Sequence, residues 1–290
     1  MNAKRRRILV LPMLCAAPVF LLGLWVMCYP LVSNLVNQRS QTRVIGNYSA
    51  AVEQLGENGS QILLQAAREY NAAHPVNYYT DRFPSEEAAA AYARQLTVDS
   101  SETMGHLEIK KIGISLAIYH GIDDAVLSAG VGHLPRTSLP VGGAGSHAVL
   151  TGHTGLPSAE LLTKLDRMEI GDRFLIHVPG ETLTYVVDQI KVVMPDELGD
   201  LAITPEEDYV TLVTCTPYGT NSHRLLVRGK AVDTDGKWAT LLQEALRTFP
   251  WPVMLLLCIP LALIVTLYIC LAYQREKKRT VFIARRIAGR

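Results

Sequence analysis

One cysteine and one arginine near the end of the polar middle of the chain are the residues best suited to chemistry. Cys215 follows residues 209–214, whose alternating β-branched composition predicts a strand. Arg224 begins the next strand-like stretch, after a turn that contains proline, glycine and asparagine. Adjacent antiparallel strands could bring the two side chains together, and a cation beside a thiol favours the nucleophilic thiolate.

Cys215 has no cysteine partner in the polar region, because the other four cysteines lie in long apolar segments (Cys15, Cys28, Cys258 and Cys270). A lone cysteine is often only a small buried apolar side chain, and that interpretation is the alternative to a catalytic one. The strand-to-loop position of Cys215, with Arg224 nine residues later, favours catalysis.

His153 is the candidate acid–base residue among the eight histidines of the chain. It follows a strand-like stretch at 149–151, and Gly152 and Gly155 leave little bulk around its imidazole, as a group that approaches a substrate requires. Histidine can protonate a departing amine. His223, next to Arg224, is predicted to point to the opposite face of its strand.

Three motifs together carry a family resemblance. The stretch Thr-Leu-Val-Thr-Cys at 211–215, followed by His-Arg-Leu-Leu-Val-Arg-Gly at 223–229, resembles the signature of the sortases, the membrane-bound cysteine transpeptidases of Gram-positive surfaces. Leu-Thr-Gly-His-Thr-Gly at 150–155 is similar to their histidine motif. The resemblance implies three catalytic roles: a nucleophile, a general acid and base, and a group that stabilises the oxyanion and the substrate (Cys215, His153 and Arg224).

Three neighbouring residues are weaker candidates for the substrate site. Thr214 and Thr216 flank Cys215 and either shape the site or are ordinary strand residues. Arg228 is predicted on the strand face of Arg224, where it either contacts substrate or pairs with an acid. The acidic residues between 196 and 208 lack the spacing of an EF-hand calcium loop, so we predict neither a metal site nor a cofactor.

A further stretch, Tyr-Thr-Asp-Arg-Phe at 79–83, resembles the lid of class C, pilus-building sortases. In that lid an acid lies near the arginine and an aromatic ring near the cysteine, and the corresponding residues here are Asp81 and Phe83 in a lid-like loop at 79–84. Arg82 stands where the family usually has proline. An ordinary exposed loop is the alternative.

Two long apolar stretches, 8–36 and 251–273, enclose the polar middle and are each long enough to cross a bilayer. Basic residues precede the first and follow the second, so both termini are predicted to be cytoplasmic and the middle extracellular. A cleaved signal peptide is the alternative for the first stretch. The basic tails leave the middle with a net negative charge, which argues against nucleic acid as a partner.

Short strand-like stretches from about residue 104 predict a closed or nearly closed β-barrel, and the resemblance implies eight strands. The predicted fold is mostly β, with N-terminal helices and two flanking transmembrane helices. A helix break is expected at 56–59, and an alanine-rich helix from Ser85 to about Gln95. The predicted strands are 105–109, 112–118, 148–151, 173–178, 183–193, 209–214 and 224–232, with a short helical piece at 159–165.

The predicted organisation has seven parts. These are a cytoplasmic basic tail (1–7), a transmembrane segment (8–36), an extracellular helical region with the lid-like loop (37–103), a catalytic barrel (104–233), a linker (234–250), a transmembrane helix (251–273) and a second cytoplasmic basic tail (274–290).

The resemblance implies a membrane-anchored enzyme that cleaves Leu-Pro-x-Thr-Gly-like sorting signals of secreted proteins between threonine and glycine, through a thioester on Cys215. A class C enzyme passes the acyl group to a lysine amine of another pilin. The lid-like stretch, the helical lead-in and the second apolar stretch favour that class. The alternatives are a wall-anchoring sortase that uses a peptidoglycan-precursor amine, a peptidase that uses water, and a non-catalytic membrane-tethered β-domain.

Overall fold

A computed structural model of the protein describes residues 3–74, 83–98 and 102–232, with side chains described from residue 18 onward. The predicted linker at 234–250, transmembrane helix at 251–273 and C-terminal tail at 274–290 therefore lie outside the described residues.

Eight strands close into a barrel in the order β1-β2-β3-β4-β7-β8-β6-β5. Neighbouring strands are antiparallel except for the parallel pairs β2–β3 and β4–β7. The eight-stranded barrel is thereby confirmed. The strands are β1 Thr103–Ile109, β2 Ile114–His120, β3 Val131–His133, β4 Ser146–Thr151, β5 Arg173–Val178, β6 Glu181–Val193, β7 Asp208–Thr216 and β8 His223–Ala231.

Six of the seven predicted strands differ from the observed ones by one or two residues at one or both ends, and only the predicted strand 173–178 has the observed bounds. β3, which has only three residues, is too short to give an alternating pattern and was not predicted. β2 begins at Ile114 and not at Ile112, because Lys110–Ile112 form a 3-10 turn that ends at Gly113 in the left-handed region, with φ of 68°. At such a φ a residue without a side chain avoids a steric penalty.

The buried apolar residues form two clusters, one inside the barrel and one on its outside. Alternate residues fill the barrel interior, for example Leu107, Ile118, Leu150, Leu212 and Val227. A second apolar cluster, which we call the outer cluster, covers part of the outside of strands β4, β6, β7 and β8 beneath the segment that joins β6 to β7; it consists of Val149, Val193, Leu201, Val213 and Leu226, with Leu134 against it.

Helix α1, Ala3–Ala73, bends at Gly56, where φ is 74° and ψ is 176°, in agreement with the predicted break at 56–59. Among the described residues, α1 contains the one stretch long and apolar enough to cross a membrane. The C-terminal part of α1 packs on the barrel through the buried residues Leu64 and Ala67, and Tyr48 donates a hydrogen bond of 3.0 Å to the Met104 carbonyl. This arrangement favours an N-terminal membrane anchor.

Shorter helical elements lie outside the barrel. Helix α2, Glu86–Ala93, begins where predicted, since the Ser85 hydroxyl caps it by accepting a hydrogen bond from the Ala88 N–H at 3.2 Å. Helix α3 is Asp124–Ala129, and two further 3-10 turns are Leu165–Arg167 and Gly199–Leu201. The helical piece predicted at 159–165 is mostly turn, and its 3-10 portion begins only at Leu165.

Candidate active site

Cys215 and Arg224 lie directly opposite each other on the antiparallel strands β7 and β8. Directly opposed residues point to the same face of a sheet, with Cβ atoms about 5 Å apart. Both side chains are half-buried. The strands therefore hold a thiol and a guanidinium side by side, as the sequence predicts.

His153 lies on the other side of Cys215. Strand β4 runs parallel to β7 with Thr151 opposite Val213, and the Gly152 N–H donates to the Val213 carbonyl at 3.1 Å, just past the end of β4. Continued by two residues, this register places His153 level with Cys215 on a neighbouring chain segment, at the strand spacing of about 4.8 Å. Cys215 thus lies between His153 and Arg224.

Leu162 packs against the backbone around His153 and forms a hydrogen bond with it. A Cβ on Gly152 would approach Leu162 Cδ1 to 2.9 Å, and the Leu162 N–H donates to the His153 carbonyl at 3.2 Å. Gly152 was expected to leave room for a substrate, but its missing side chain makes room for Leu162. Gly155, with φ of 74°, faces the exposed ring of Tyr218, whose Cε2 is 3.2 Å from the place a Cβ would occupy.

Arg224 uses only part of its hydrogen-bonding capacity within the protein. Its Nη1 donates to the carbonyls of Asn221 and His223 at 3.3 and 3.1 Å. None of the carboxylates in the described part of the chain forms an ion pair with Arg224. A guanidinium with open N–H groups beside a thiol can stabilise an anionic oxygen on a bound carbonyl.

The site borders the outer cluster. Because side chains alternate along a strand, Cys215 shares its face with Val213, and Arg224 shares its face with Leu226. Val213 and Leu226 belong to the outer cluster together with Val149 of β4. The candidate site is therefore on the outside of the barrel, next to this buried apolar cluster.

The three weaker candidates have different surroundings. Thr214 is buried, with 3% of its surface exposed, and its hydroxyl donates to the Gly152 carbonyl at 2.7 Å. Thr216 is half-buried opposite His223, on the strand face that Cys215 does not share. Arg228 forms two hydrogen bonds with Asp188, at 3.1 and 2.7 Å, and is thus the partner of an acid, one of its two predicted alternatives.

Asp81, the predicted acid of the lid-like loop, lies outside the described residues. Phe83 begins the next described segment, and its ring centroid is 5.1 Å from that of Tyr92 in α2. Tyr92 is buried against the barrel and its hydroxyl bonds to His133 Nδ1 at 2.8 Å. A position of Phe83 near Cys215 stays a prediction.

Comparison with known proteins gives one family. The model of the sortase domain matches residues 107–232, a range that includes His153, Cys215 and Arg224. Sortase A of Streptococcus agalactiae serotype III (strain NEM316) is 25% identical over 185 residues, which are 62% of this chain and 73% of that protein.

Solved structures are more similar. The crystal structure of sortase C1 from Streptococcus agalactiae is 44% identical, with a TM-score of 0.63, over 67% of this chain and 100% of that one. The structure of sortase C from Streptococcus pneumoniae, described for its catalysis and its pilin substrate specificity, is 40% identical, with a TM-score of 0.59, over 66% of this chain and 97% of that one. This chain thus covers nearly the full length of both solved proteins.

Proposed function

Because this chain belongs to the sortase family of cysteine transpeptidases, we propose that its nucleophile, its general acid and base, and its oxyanion-stabilising group are Cys215, His153 and Arg224. The observation that carries this assignment is the order of three adjacent segments, with Cys215 of β7 between His153 after β4 and Arg224 of β8. All three lie at one end of the barrel, on its outer face.

The proposed reaction begins with attack of the Cys215 thiolate on the threonine carbonyl carbon of a sorting signal. Arg224 donates hydrogen bonds to the oxygen that becomes negative, and His153 gives its proton to the departing glycine amine. The product of this half-reaction is a threonyl thioester on Cys215. An incoming amine then attacks the thioester, His153 accepts its proton, and the thiolate leaves.

We propose that the substrates are secreted proteins with Leu-Pro-x-Thr-Gly-like signals and that the acceptor is a lysine amine of another pilin subunit. One observation supports this choice over a wall-anchoring role. The solved structures named above are sortase C enzymes at 40–44% identity, and one of them is described for its pilin substrate specificity.

The apolar half of α1 supports a membrane-anchored enzyme. We propose the full topology predicted from charge: a basic tail at 1–7 in the cytoplasm, a span at 8–36, the barrel outside the cell, and a return span at 251–273 before a second cytoplasmic tail. We also propose that Asp81 and Phe83 belong to a lid over the site. The Asp81 carboxylate would have Arg224 as a partner, since none of the described carboxylates forms an ion pair with that guanidinium.

Intact-mass spectrometry of the full chain in detergent tests the thioester. After incubation with a sorting-signal peptide, we expect an adduct with the mass of the peptide fragment that ends at threonine. The adduct should be absent from Cys215→Ala and present in Cys28→Ala, which removes a free cysteine of α1 and serves as the matched control. Asp81→Ala should accumulate more adduct if the lid restricts access.

The acceptor decides between the alternatives. A lysine-bearing pilin segment should release the adduct faster than a glycine-based wall-precursor amine, whereas the reverse preference would indicate a wall-anchoring enzyme. Release at the same rate in water alone would indicate a peptidase. Folded protein that forms no adduct, with Asp81→Ala equally inactive, would favour the non-catalytic binding domain.

A further inference from the structure

The side chain of Thr214 connects the strand that carries Cys215 to the loop that carries His153. Its hydroxyl donates to the Gly152 carbonyl at 2.7 Å. Only 3% of the Thr214 surface is exposed, so the hydroxyl is not available to a substrate. The contact lies on the side of β7 opposite to Cys215, because adjacent residues of a strand point to opposite faces.

This bond completes the attachment of Gly152 to β7. The Gly152 N–H already donates to the Val213 carbonyl at 3.1 Å, so both backbone polar groups of Gly152 are held by consecutive residues of the same strand. The Gly152 carbonyl belongs to the peptide unit whose nitrogen is that of His153. Because a peptide unit is planar, a bond that fixes this carbonyl also fixes the direction in which the His153 backbone leaves β4.

Leu162 holds the next peptide unit. Its N–H donates to the His153 carbonyl at 3.2 Å, and its side chain fills the space left by the missing side chain of Gly152. The ring of His153 itself has no hydrogen-bond partner among the described residues. The position of the imidazole is consequently set by its backbone, and the Thr214 hydroxyl is the one side-chain group of β7 bonded to that backbone.

We propose that Thr214 is a positioning residue that holds the imidazole of His153 at the correct distance from the Cys215 thiol. The proposal rests on the proposed function of Cys215 and His153. Since the hydroxyl is buried, Thr214 would shape the site, one of the two alternatives that the sequence left open, without contacting the substrate. Displacement of a catalytic group by about 1 Å can lower a rate by roughly 100-fold, so one buried hydrogen bond is enough to affect catalysis.

Thr211 offers a matched control on the same strand. It is also buried, with 1% of its surface exposed, and its hydroxyl is also bonded, to His147 Nε2 at 2.7 Å. Thr211 and Thr214 thus lose an equivalent buried hydrogen bond on replacement by valine. Only the bond of Thr214 reaches the loop of His153.

The first readout is the rate at which iodoacetamide alkylates Cys215 between pH 5 and 9, in the full chain in detergent, followed on the tryptic peptide that contains Cys215. An imidazolium near a thiol favours the thiolate, so His153→Ala should move the profile of rate against pH. We expect Thr214→Val to move it in the same direction and the double variant to move it no further than His153→Ala alone. Thr211→Val should keep the wild-type profile.

The second readout is transpeptidation of the sorting-signal peptide. Thr214→Val should lower kcat about tenfold or more and change KM less than about twofold, because the substrate itself loses no contact. Thr214→Ser retains the hydroxyl and should stay within about threefold of the wild-type kcat. If Thr214→Val does not fold, Thr214→Ala removes the hydroxyl without placing a methyl group against the Gly152 carbonyl and takes its place.

A Thr214→Val protein with the wild-type pH profile and kcat would overturn the proposal, and so would one whose changes equal those of Thr211→Val. Failure of the proposed function has a different signature. In that case the wild-type protein forms no thioester, or His153→Ala leaves the alkylation profile of Cys215 unchanged.

Discussion

Two arginines four residues apart on the same face of β8 have opposite environments. Arg228 forms two hydrogen bonds with Asp188 and lies over the ring of Tyr209, at 4.2 Å from its centroid. Among the described residues, Arg224 donates hydrogen bonds only to the carbonyls of Asn221 and His223. The difference shows how one strand can serve two purposes, with stability at one end and open hydrogen-bonding capacity beside Cys215 at the other.

The histidines repeat this contrast. His133 is completely buried and bonded at both ring nitrogens, to Tyr92 and Ser138, and burial lowers its pKa to about 4. His147 is bonded to Ala202 and Thr211, and burial also lowers its pKa. The ring of His153 has no such partners in the described part of the chain. For these two arginines and three histidines, the side chains with bonded polar groups belong to the framework, and those with free polar groups lie at the candidate site.

Replacement of Arg224 should have the largest effect on activity of the changes that test this contrast. Arg224→Ala removes the proposed donors to the oxyanion and should lower kcat/KM by about 100-fold or more, since loss of one such donor costs roughly 100- to 1,000-fold. Arg224→Lys keeps the charge but loses the planar donor geometry and should recover little. The thermal midpoint should stay near that of the wild type.

Steady-state transpeptidation assays and thermal melts of the same preparations would measure the two quantities. A fall in thermal midpoint that parallels the loss of activity would place Arg224 in the framework and break the contrast with Arg228.

Replacement of Arg228 should have the reverse pattern. Arg228→Ala leaves Asp188 without its partner in a half-buried position and should lower the free energy of unfolding by about 1–3 kcal/mol. Since Arg228 lies about 13 Å along the strand from Arg224, activity at a temperature where the variant is folded should stay within about threefold of the wild type.

Urea unfolding followed by circular dichroism would give the stability of Arg228→Ala, Asp188→Ala and the double variant. The double variant should be only slightly less stable than each single one, because both single changes remove the same pair. A strong loss of kcat or a rise of KM in folded Arg228→Ala would instead support a contact between Arg228 and the substrate, the other alternative that the sequence left open.

The sequence was sufficient for the barrel, the family and the placement of Cys215 beside Arg224, because strand alternation and motif spacing are local properties. It was insufficient where the partner is distant in the chain. The spacing of Arg228 fitted an ion pair or a substrate contact equally well, and only the fold brings Asp188 of β6 beside it. Gly152 was assigned to substrate access because Leu162 could not be known to pack against it.

Thr214 is the instructive case, since a signal was present and was not used. It alternates with Val210 and Leu212, which fill the barrel interior, so it is a hydroxyl on an otherwise apolar face. A buried hydroxyl requires a partner, so the alternating pattern indicates a hydrogen bond within the protein. The identity of the partner, the Gly152 carbonyl, came only from the fold.

The smallest expected effect concerns stability in acid, and it extends the contrast to a histidine far from the site. The ring of His106 stacks on that of His177 with centroids 4.1 Å apart, and its buried Nδ1 has no hydrogen-bond partner among the described residues. Burial, assisted by His177 and opposed by Glu108, lowers the pKa of His106 to about 4, from a usual value near 6.5. Protonation of His106 is thus more favourable in the unfolded chain. Its contribution to the free energy of unfolding is therefore fully present above about pH 6.5 and is lost as the pH decreases toward 4.

His106→Phe keeps a stacked ring but cannot be protonated. The wild-type protein should lose about 1 kcal/mol more of its free energy of unfolding than the variant between pH 7.5 and pH 5.0, the value being reduced from the full linkage because the ring is only half-buried. Urea titrations at the two pH values measure this difference, and His106→Gln, which keeps a polar side chain without the stack, separates loss of the charge from loss of the packing. Equal acid sensitivity in wild type and His106→Phe would assign the loss to other groups, of which the completely buried His133 is the strongest, because its pKa is also lowered to about 4.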